Sequence, residues 1–289
     1  MNAVERIERA LNQVIDRAEG GNGPPGLLAA VRYAVFPGGA RIRPRLCLAV
    51  ARACGEDSPV CSTAAACSIE LLHCASLVHD DLPCFDDAAM RRGRPSVPRA
   101  FGERLAVLAG DALIVLAFQS LARAGDAMPR RLPGLLLTVS RAAGMPMGIV
   151  AGQAWECEQQ IPLSDYQKAK TAALFAAATA AGAAAAGADA RPWHCLGERI
   201  GEAYQVADDL KDVLSDEDEI GKPVGQDQRL GRPNAVHELG IAGAVARLEE
   251  LVSGALDSMP ACPGAAELRA HILAETHRLL PRKLSRPAA

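Results

Sequence analysis

The sequence predicts an all-α protein that folds as one large helical domain over residues 1–289, and three observations support this prediction. No stretch alternates apolar and polar residues with the period of two that marks a half-buried strand. Ala, Leu, Arg and Glu are abundant, whereas aromatic residues make up only 3% of the chain. The connections that contain Gly and Pro are short, and none is long or polar enough to divide the chain. With 49% hydrophobic residues, the chain can bury a sizeable core without disulfides.

Each predicted helix ends where helix-breaking residues occur. The first three breaks are Gly20–Pro25, Pro37-Gly38-Gly39 and Gly55–Pro59, and a later one is Gly221-Lys222-Pro223. The Ala-rich stretch Thr171–Ala190 is read as a tightly packed buried helix, because alanine is a weak membrane residue. The predicted helices cover residues 3–19, 25–35, 41–54, 60–81, 102–124, 129–143, 146–159, 163–187, 191–215, 233–258 and 264–279.

Charge and cysteine content exclude several classes of function. The net charge is −3, which argues against nucleic acid or an anionic membrane surface as a partner. The nine cysteines form no CxxC pair, and their number is odd, so a disulfide framework or structural zinc site is not expected. The first residues are charged throughout and contain no apolar signal region. These features favour a cytoplasmic protein without an integral membrane segment.

Two aspartate clusters carry the strongest functional signal. The first is Asp80-Asp81-Leu82-Pro83-Cys84-Phe85-Asp86-Asp87, and the second is Asp208-Asp209-Leu210-Lys211-Asp212. Acids at the end of a helix face the negative end of its dipole, which costs roughly 0.3–1 kcal/mol each. A hard divalent cation, which prefers oxygen ligands, would offset the repulsion among them. The two clusters are therefore predicted to form two walls of one metal site.

A helical wheel supports this reading of the second cluster. Gln205, Asp208 and Asp212 share one face, and Gly201 on that face is expected to keep space open. Basic residues near the first cluster suit phosphate oxygens, although ordinary surface charge remains an alternative reading of the Arg91–Arg94 run. They are His73, Arg41, Arg43, Arg45, Arg91, Arg92 and Arg94.

Eight motifs, in this order, resemble the trans-isoprenyl diphosphate synthase family over approximately residues 37 to 235. Within that family the chain looks like the bacterial geranylgeranyl diphosphate synthases of carotenoid-type pathways. The motifs are Gly38-Gly39-Ala40-Arg41-Ile42-Arg43-Pro44, His79 to Asp87, Met90-Arg91-Arg92-Gly93, Gly110-Asp111-Ala112-Leu113, Gly152-Gln153, Lys170-Thr171, Tyr204 to Asp212 and Gly221-Lys222-Pro223.

The resemblance implies a fold in which helices surround a central cavity, usually in a homodimer. It implies a transferase that joins isopentenyl diphosphate to an allylic diphosphate and uses Mg²⁺, with more than one ion expected per site. The implied metal ligands are Asp80, Asp86 and Asp208, with Asp81 and Asp212 next. Arg91, Lys170 and Lys222 would hold the allylic diphosphate and act in catalysis together with the first three aspartates. Arg43, His73 and Arg92 would hold isopentenyl diphosphate, and Thr171 and Gln205 would line the site between them.

The chain departs from the family pattern at Ala40, where the family usually has lysine. Arg41 is expected to compensate, so the resemblance implies weaker isopentenyl diphosphate binding and not inactivity. The usual Lys-x-Thr after Gly225-Gln226-Asp227 is replaced by Arg232-Pro233-Asn234, which is treated as tolerated because arginine can still meet phosphate.

Product length is expected to depend on the helix below the first aspartate cluster. Ala75 and Ser76 are small where farnesyl-length relatives commonly carry an aromatic residue, and Leu72 and Ile69 lie further down that face. This favours a C20 product, with a C15 product as the alternative. Two other readings remain open: a class I terpene cyclase and a non-catalytic partner subunit.

Five aromatic rings are candidates to face a carbocation, although core packing is the plainer interpretation of each. They are Phe85, Phe101, Phe118, Phe175 and Tyr204.

Overall fold

The computed structural model describes residues 2–20, 23–160, 163–214 and 234–279, and it confirms the all-α prediction. A two-stranded hairpin interrupts the helices, with β1 (Met90–Arg91) antiparallel to β2 (Arg94–Pro95). The helices are α1 (Ala3–Glu19), α2 (Pro25–Val35), α3 (Ile42–Ala53), α4 (Pro59–Asp80), α5 (Val97–Phe101), α6 (Glu103–Ala124), α7 (Leu132–Ala143), α8 (Ile149–Ala154), α9 (Leu163–Gln167), α10 (Ala173–Ala185), α11 (Arg191–Leu214), α12 (Ala235–Asp257) and α13 (Ala265–Leu279).

Local sequence explains where the first helices begin and end. α1 starts after Asn2, whose side chain accepts a hydrogen bond from the Glu5 backbone N–H at 2.9 Å while the Glu5 side chain accepts one from the Asn2 backbone at 3.1 Å. α4 starts with Pro59 in its first turn, a position that needs no backbone donor. It ends at Asp80 because Pro83 disfavours helical geometry at the preceding Leu82.

α4 lies in the centre of the fold, packed along α6 and against α1, α2, α3, α7 and α10. Its Ile69, Leu71 and Leu72 side chains belong to the main core. Burying a side chain of this kind stabilises the fold by about 1.5–3 kcal/mol relative to exposure. The central helix therefore places its last turn, with Asp80, on a rigid support.

The contact between α10 and α11 requires glycine. A Cβ added to Gly197 would lie 2.4 Å from the Ala176 Cα atom, and one added to Gly201 would lie 2.6 Å from the Ala172 Cα atom. Gly201 is thus buried between two helices, and the expectation that it keeps space open in the site is wrong. Its small size instead lets α11 approach α10 closely.

Two predicted helices differ from the structure in detail, and one short helix was not predicted. The 146–159 helix is α8 followed by a 3₁₀ turn at Trp155–Cys157, and the 163–187 helix is α9, a π-helical turn at Lys168–Ala172, and α10. Residues 97–101 form a short helix ahead of α6. The hairpin strands have two residues each, too few for a period of two to be visible.

Among the residues that the structure describes, α4 and α6 are long and apolar enough to cross a membrane by length and composition. In α4, 72% of the apolar window is buried inside the fold, so its apolar character is explained by the core. In α6, 44% of that window is buried. α6 therefore exposes an apolar face to its surroundings.

Candidate active site

A cavity of about 360 Å³ lies where α3, α4, the hairpin, the α8–α10 segment and α11 meet. Most of the predicted site residues line it, so residues distant in sequence are brought together as expected. They are Arg41, Arg43, His73, Ser76, Asp80, Asp86, Arg91, Arg92, Lys170, Thr171, Gln205 and Asp208.

The α4 wall presents Asp80 to the cavity. Its carboxylate accepts a hydrogen bond from Gln153 Nε2 at 2.9 Å and lies 3.9 Å from the Lys170 ammonium. Burial raises the pKa of Asp80 and outweighs the lowering effect of Lys170. The Asp86 backbone N–H donates to the Asp80 carbonyl at 2.9 Å, which folds the loop back and brings Asp86 to the same cavity. The raised pKa therefore reflects the burial of Asp80.

In the structure Asp81 pairs with Arg91 outside the cavity lining, and its role as a metal ligand stays a prediction. Arg91 donates to the same oxygen of Asp81 from Nε at 2.9 Å and from Nη2 at 2.5 Å. The Asp81 side chain is 2% exposed and is not among the groups that line the cavity. Because this carboxylate is already paired, its role is to orient the Arg91 guanidinium, which does reach the cavity.

The three aspartates of the second cluster lie in different surroundings. Asp208 lines the cavity. Asp209 is buried and accepts hydrogen bonds from Gln205 Nε2 at 2.9 Å and from the Ala235 backbone at 2.8 Å, which joins α11 to the start of α12. Asp212 is buried and does not line the cavity within the described part of the chain, so its role as a metal ligand stays a prediction.

Arg43 lines the same cavity, where two aromatic rings contact its guanidinium. Its guanidinium carbon lies 4.4 Å from the centre of the Phe175 ring and 5.4 Å from that of Tyr204. Phe175 is fully buried, which confirms core packing for that ring, whereas Tyr204 lines the cavity. These two rings contact a cationic side chain, which was not anticipated from the sequence.

The hydrogen-bonding state of Arg43 indicates an anion site. Its Nε atom is buried and has no hydrogen-bond partner among the described residues. Burial lowers the pKa of Arg43, and burial together with nearby Arg43 and Arg92 lowers the pKa of His73 well below its usual value. His73 is therefore neutral at pH 7, and its Nε2 lies 3.5 Å from Arg43 Nη1. A buried donor without an acceptor is costly, and a phosphate oxygen would satisfy it.

The structure also contradicts the expected role of Arg41. Its guanidinium donates to Glu8 from Nε at 2.7 Å, to Glu70 from Nη1 at 2.5 Å and to the Val35 carbonyl at 2.9 Å. The side chain is 1% exposed. Arg41 is therefore committed to the protein interior, and it cannot replace the lysine missing at position 40.

Glu156 is a site residue that sequence reasoning missed. It forms a short ion pair with the Lys170 ammonium and accepts a hydrogen bond from the Tyr166 hydroxyl at 2.6 Å. Lys170 lies in the π-helical turn, next to Gly152, whose added Cβ would lie 2.4 Å from the Lys170 backbone nitrogen. The sequence offered one signal for Glu156, because it lies three residues after Gln153 and residues at that spacing share a helix face. Glu156 and Tyr166 position Lys170 beside Asp80.

The remaining predicted residues fall into three groups. Thr171 donates to Gln205 Oε1 at 2.8 Å, so these two side chains form one pair at the cavity wall. Among the chain-length candidates, Ser76 lines the cavity, whereas Ala75, Leu72 and Ile69 lie in the main core. Lys222 lies outside the described residues.

The donor set fits Mg²⁺ shared with a substrate. Within the described ranges, no three His, Cys, Asp or Glu side chains converge closely enough to bind a metal by themselves. Mg²⁺ commonly binds one or two carboxylates and completes its shell with substrate phosphates and water. Asp80, Asp86 and Asp208 around one cavity, facing the unsatisfied Arg43 donor, match that pattern.

Known proteins are similar to this chain in sequence and in architecture. A geranylgeranyl diphosphate synthase of Cereibacter sphaeroides is 54% identical over 97% of this chain and 98% of its own length. A farnesyl diphosphate synthase of Geobacillus stearothermophilus is 40% identical over 84% of each chain. A crystal structure of a geranyltransferase from Helicobacter pylori, complexed with magnesium and isoprenyl diphosphate, superposes with a TM-score of 0.78 at 29% identity. That alignment covers 96% of this chain and 98% of the other.

The family match itself covers residues 24–260, which include both aspartate clusters and the basic residues around them. The relatives extend the similarity to nearly the whole chain, and the solved structure shows the same helical fold. On these grounds the chain belongs to the polyprenyl synthetase family.

Proposed function

We propose that this protein is a Mg²⁺-dependent prenyltransferase that condenses isopentenyl diphosphate with allylic diphosphates to make geranylgeranyl diphosphate. The observation that carries the proposal is a single cavity lined by Asp80, Asp86 and Asp208 together with Arg43, Arg91, Arg92 and Lys170. Two sets of anion-binding groups suit two diphosphate substrates. The geranylgeranyl diphosphate synthase of Cereibacter sphaeroides, at 54% identity, supports the C20 product, and the Geobacillus farnesyl diphosphate synthase keeps C15 as the alternative.

The allylic substrate would lie against α4. Asp80, Asp86 and Asp208 would hold Mg²⁺, with more than one ion per site. When bound, these ions stabilise the negative charge that develops on the departing diphosphate. Arg91, oriented by Asp81, and Lys170, oriented by Glu156, would donate hydrogen bonds to the same diphosphate. Lys222 is proposed to join them.

Isopentenyl diphosphate would lie on the opposite wall. Arg43, stacked on Phe175 and Tyr204, would use its free Nε donor, and His73 and Arg92 would hold the remaining phosphate oxygens. The double bond then attacks the allylic carbocation and a proton is lost, for which the departing diphosphate is the base. Leu77 and Ile149 line the cavity near Asp80 and help exclude water, which would convert the cation to an alcohol.

A product assay tests the proposed function. The purified chain is incubated with Mg²⁺, labelled isopentenyl diphosphate and each allylic starter, and the dephosphorylated products are sized. We expect chiefly C20 alcohols. Chiefly C15 alcohols would establish the alternative, and a hydrocarbon formed without isopentenyl diphosphate would indicate a terpene cyclase. No product from the chain alone would indicate a non-catalytic subunit.

Ala40→Lys is expected to lower the Michaelis constant for isopentenyl diphosphate about threefold to tenfold. Ala40 is exposed at the cavity, and the Arg41 guanidinium is held by Glu8 and Glu70, so Arg41 is not available to supply the missing charge. A new charge pair at a partly exposed site is worth roughly 1 kcal/mol. Steady-state kinetics measure the change, with Ala40→Met as an uncharged control of similar length. An unchanged or raised constant for the lysine variant would contradict the prediction.

We also propose that the chain forms a homodimer through the apolar outward face of α6. Val107, Leu108 and Val115 are 42%, 50% and 54% exposed there, and such a face favours a protein interface. Leu108→Glu combined with Val115→Glu should convert a dimer to a monomer in size-exclusion chromatography with light scattering. Leu137→Glu, an equally exposed leucine on α7, is the control. A monomeric unsubstituted protein would refute the dimer.

Two further parts of the proposal concern the whole chain. We propose that residues 1–289 form one domain, since the Helicobacter structure aligns with 96% of the chain without division. We propose a cytoplasmic location, consistent with nine free cysteines. Cell fractionation of the producing organism measures the location, and recovery in the membrane fraction would overturn it.

A further inference from the structure

A second, larger cavity lies at the opposite end of α4 from the aspartates. It is an open groove of about 810 Å³ between α1, the first turns of α4 and the last turns of α6. Cys67, its nearest α4 residue to the site, precedes Asp80 by thirteen positions, which corresponds to roughly 20 Å along a helix. The core residues Leu71, Leu72 and Ala75 fill α4 between the two cavities. The groove is therefore separate from the candidate active site.

The rim of the groove is cationic. Arg9 and Arg17 of α1 and Arg123 of α6 line it, and all three are exposed. Across the described part of the chain, none of the three has a hydrogen bond or ion pair with another side chain. Arg6 differs, because it pairs with Glu56 at 2.7 Å. One acid, Asp126, also lines the groove, so the rim keeps a net positive charge.

The floor of the same groove is apolar. Its buried or partly buried members come from all three helices: Ala10, Val14, Ala64, Cys67, Leu116 and Ala124. A groove of this volume, lined by apolar side chains with a few convergent polar groups, matches the usual form of a ligand site. Its two parts fit two parts of one ligand, since arginines suit phosphate and an apolar floor suits a long hydrocarbon chain.

We propose that this groove binds a prenyl diphosphate, with the diphosphate on Arg9, Arg17 and Arg123 and the prenyl chain on the apolar floor. The choice of ligand rests on the proposed function, which makes such a molecule available at the protein. No aspartate cluster faces this groove among the residues that line it, so binding here needs no Mg²⁺. Independence from Mg²⁺ distinguishes binding in this groove from binding between Asp80 and Asp208.

Equilibrium dialysis of the full-length protein with labelled geranylgeranyl diphosphate in excess EDTA tests the proposal. We expect one saturable site per chain. Substituting Arg9→Gln, Arg17→Gln and Arg123→Gln together should weaken that binding at least about tenfold, since three charge-assisted contacts are lost. Arg130→Gln, an exposed arginine outside the groove, is the matched control and should bind as before. Circular dichroism verifies that the triple variant is folded.

Three measurements decide the interpretation. Asp80→Asn should bind the label in EDTA as well as the unsubstituted protein, and loss of binding would place the ligand in the active site and overturn the proposal. Unchanged binding by the triple variant would also overturn it. Vesicles of phosphatidylglycerol provide the third: arginine-dependent binding to vesicles without binding of geranylgeranyl diphosphate would assign the groove to a membrane instead. Since no arm uses turnover, a failed product assay leaves this test intact.

Discussion

Asp80→Asn is expected to lower the rate of prenyl transfer by about a hundredfold to a thousandfold. Asn preserves the shape of the side chain and can still accept the hydrogen bond from Gln153 Nε2. It removes the charge that would hold Mg²⁺ against the departing diphosphate, and loss of one preorganised electrostatic contact of this kind typically costs 10²–10³ in rate. Steady-state kinetics at saturating Mg²⁺ measure the effect.

The same substitution should not destabilise the protein. Burial raises the pKa of Asp80, which means that the fold disfavours its charged form, and a neutral Asn removes that cost. Thermal unfolding should therefore show an unchanged or higher midpoint. Asp87→Asn is the control, because Asp87 is exposed and pairs with Arg99 at 2.9 Å in the same loop. Equal loss of activity in the two variants would mean that loop charge in general matters and that Asp80 has no special role.

Ser76→Phe is expected to change the main product from C20 to C15. Ser76 lies one helical turn before Asp80 and is the chain-length candidate that lines the cavity. A phenylalanine ring there would occupy the space that a growing chain needs after it passes Asp80. Chromatography of dephosphorylated products measures the shift, and Ser253→Phe on the exposed face of α12 adds the same bulk elsewhere. A product distribution that does not change would show that Ser76 does not limit product chain length.

Ala75→Phe separates product length from stability. It is also expected to shorten the product, as the sequence predicts, but Ala75 is 2% exposed and packed in the main core. An enlarged side chain in a filled core typically costs about 1–3 kcal/mol. Ser76→Phe should thus shorten the product with a smaller loss of thermal stability than Ala75→Phe. The reverse order would show that the growing chain runs along the Ala75 side of α4.

The fold was predictable because it depends on regular patterns. Helix positions follow from apolar periodicity and from breakers such as Gly55 and Pro59, and α1 was predicted to its exact bounds. The two aspartate clusters were recognisable because their placement opposes local electrostatics. That opposition made Asp80 and Asp208 visible without any knowledge of the tertiary structure.

Side-chain partners were less predictable because they depend on the tertiary structure. Asp81 follows Asp80 directly, yet the helix directs one carboxylate to the cavity and the other to Arg91. Arg41 and Arg43 are two residues apart in one motif, yet Arg41 points into the interior and Arg43 into the site. Glu156 belongs to no charged run, and its contact with Lys170 identifies its role. Motif membership alone did not distinguish the groups at the cavity from those that support it.

The ion pair between Arg41 and Glu8 links α1 to the residue that precedes α3, at the edge of the active-site cavity. α1 supplies no side chain to the active-site cavity within the described residues, yet its Glu8 neutralises part of a guanidinium buried against Gly38. A buried cation that loses one of its partners destabilises its surroundings. Shortened or rearranged versions of this enzyme should accordingly retain Glu8 with the rest of α1, because a neutral residue at position 41 would in turn leave Glu70 buried without its partner.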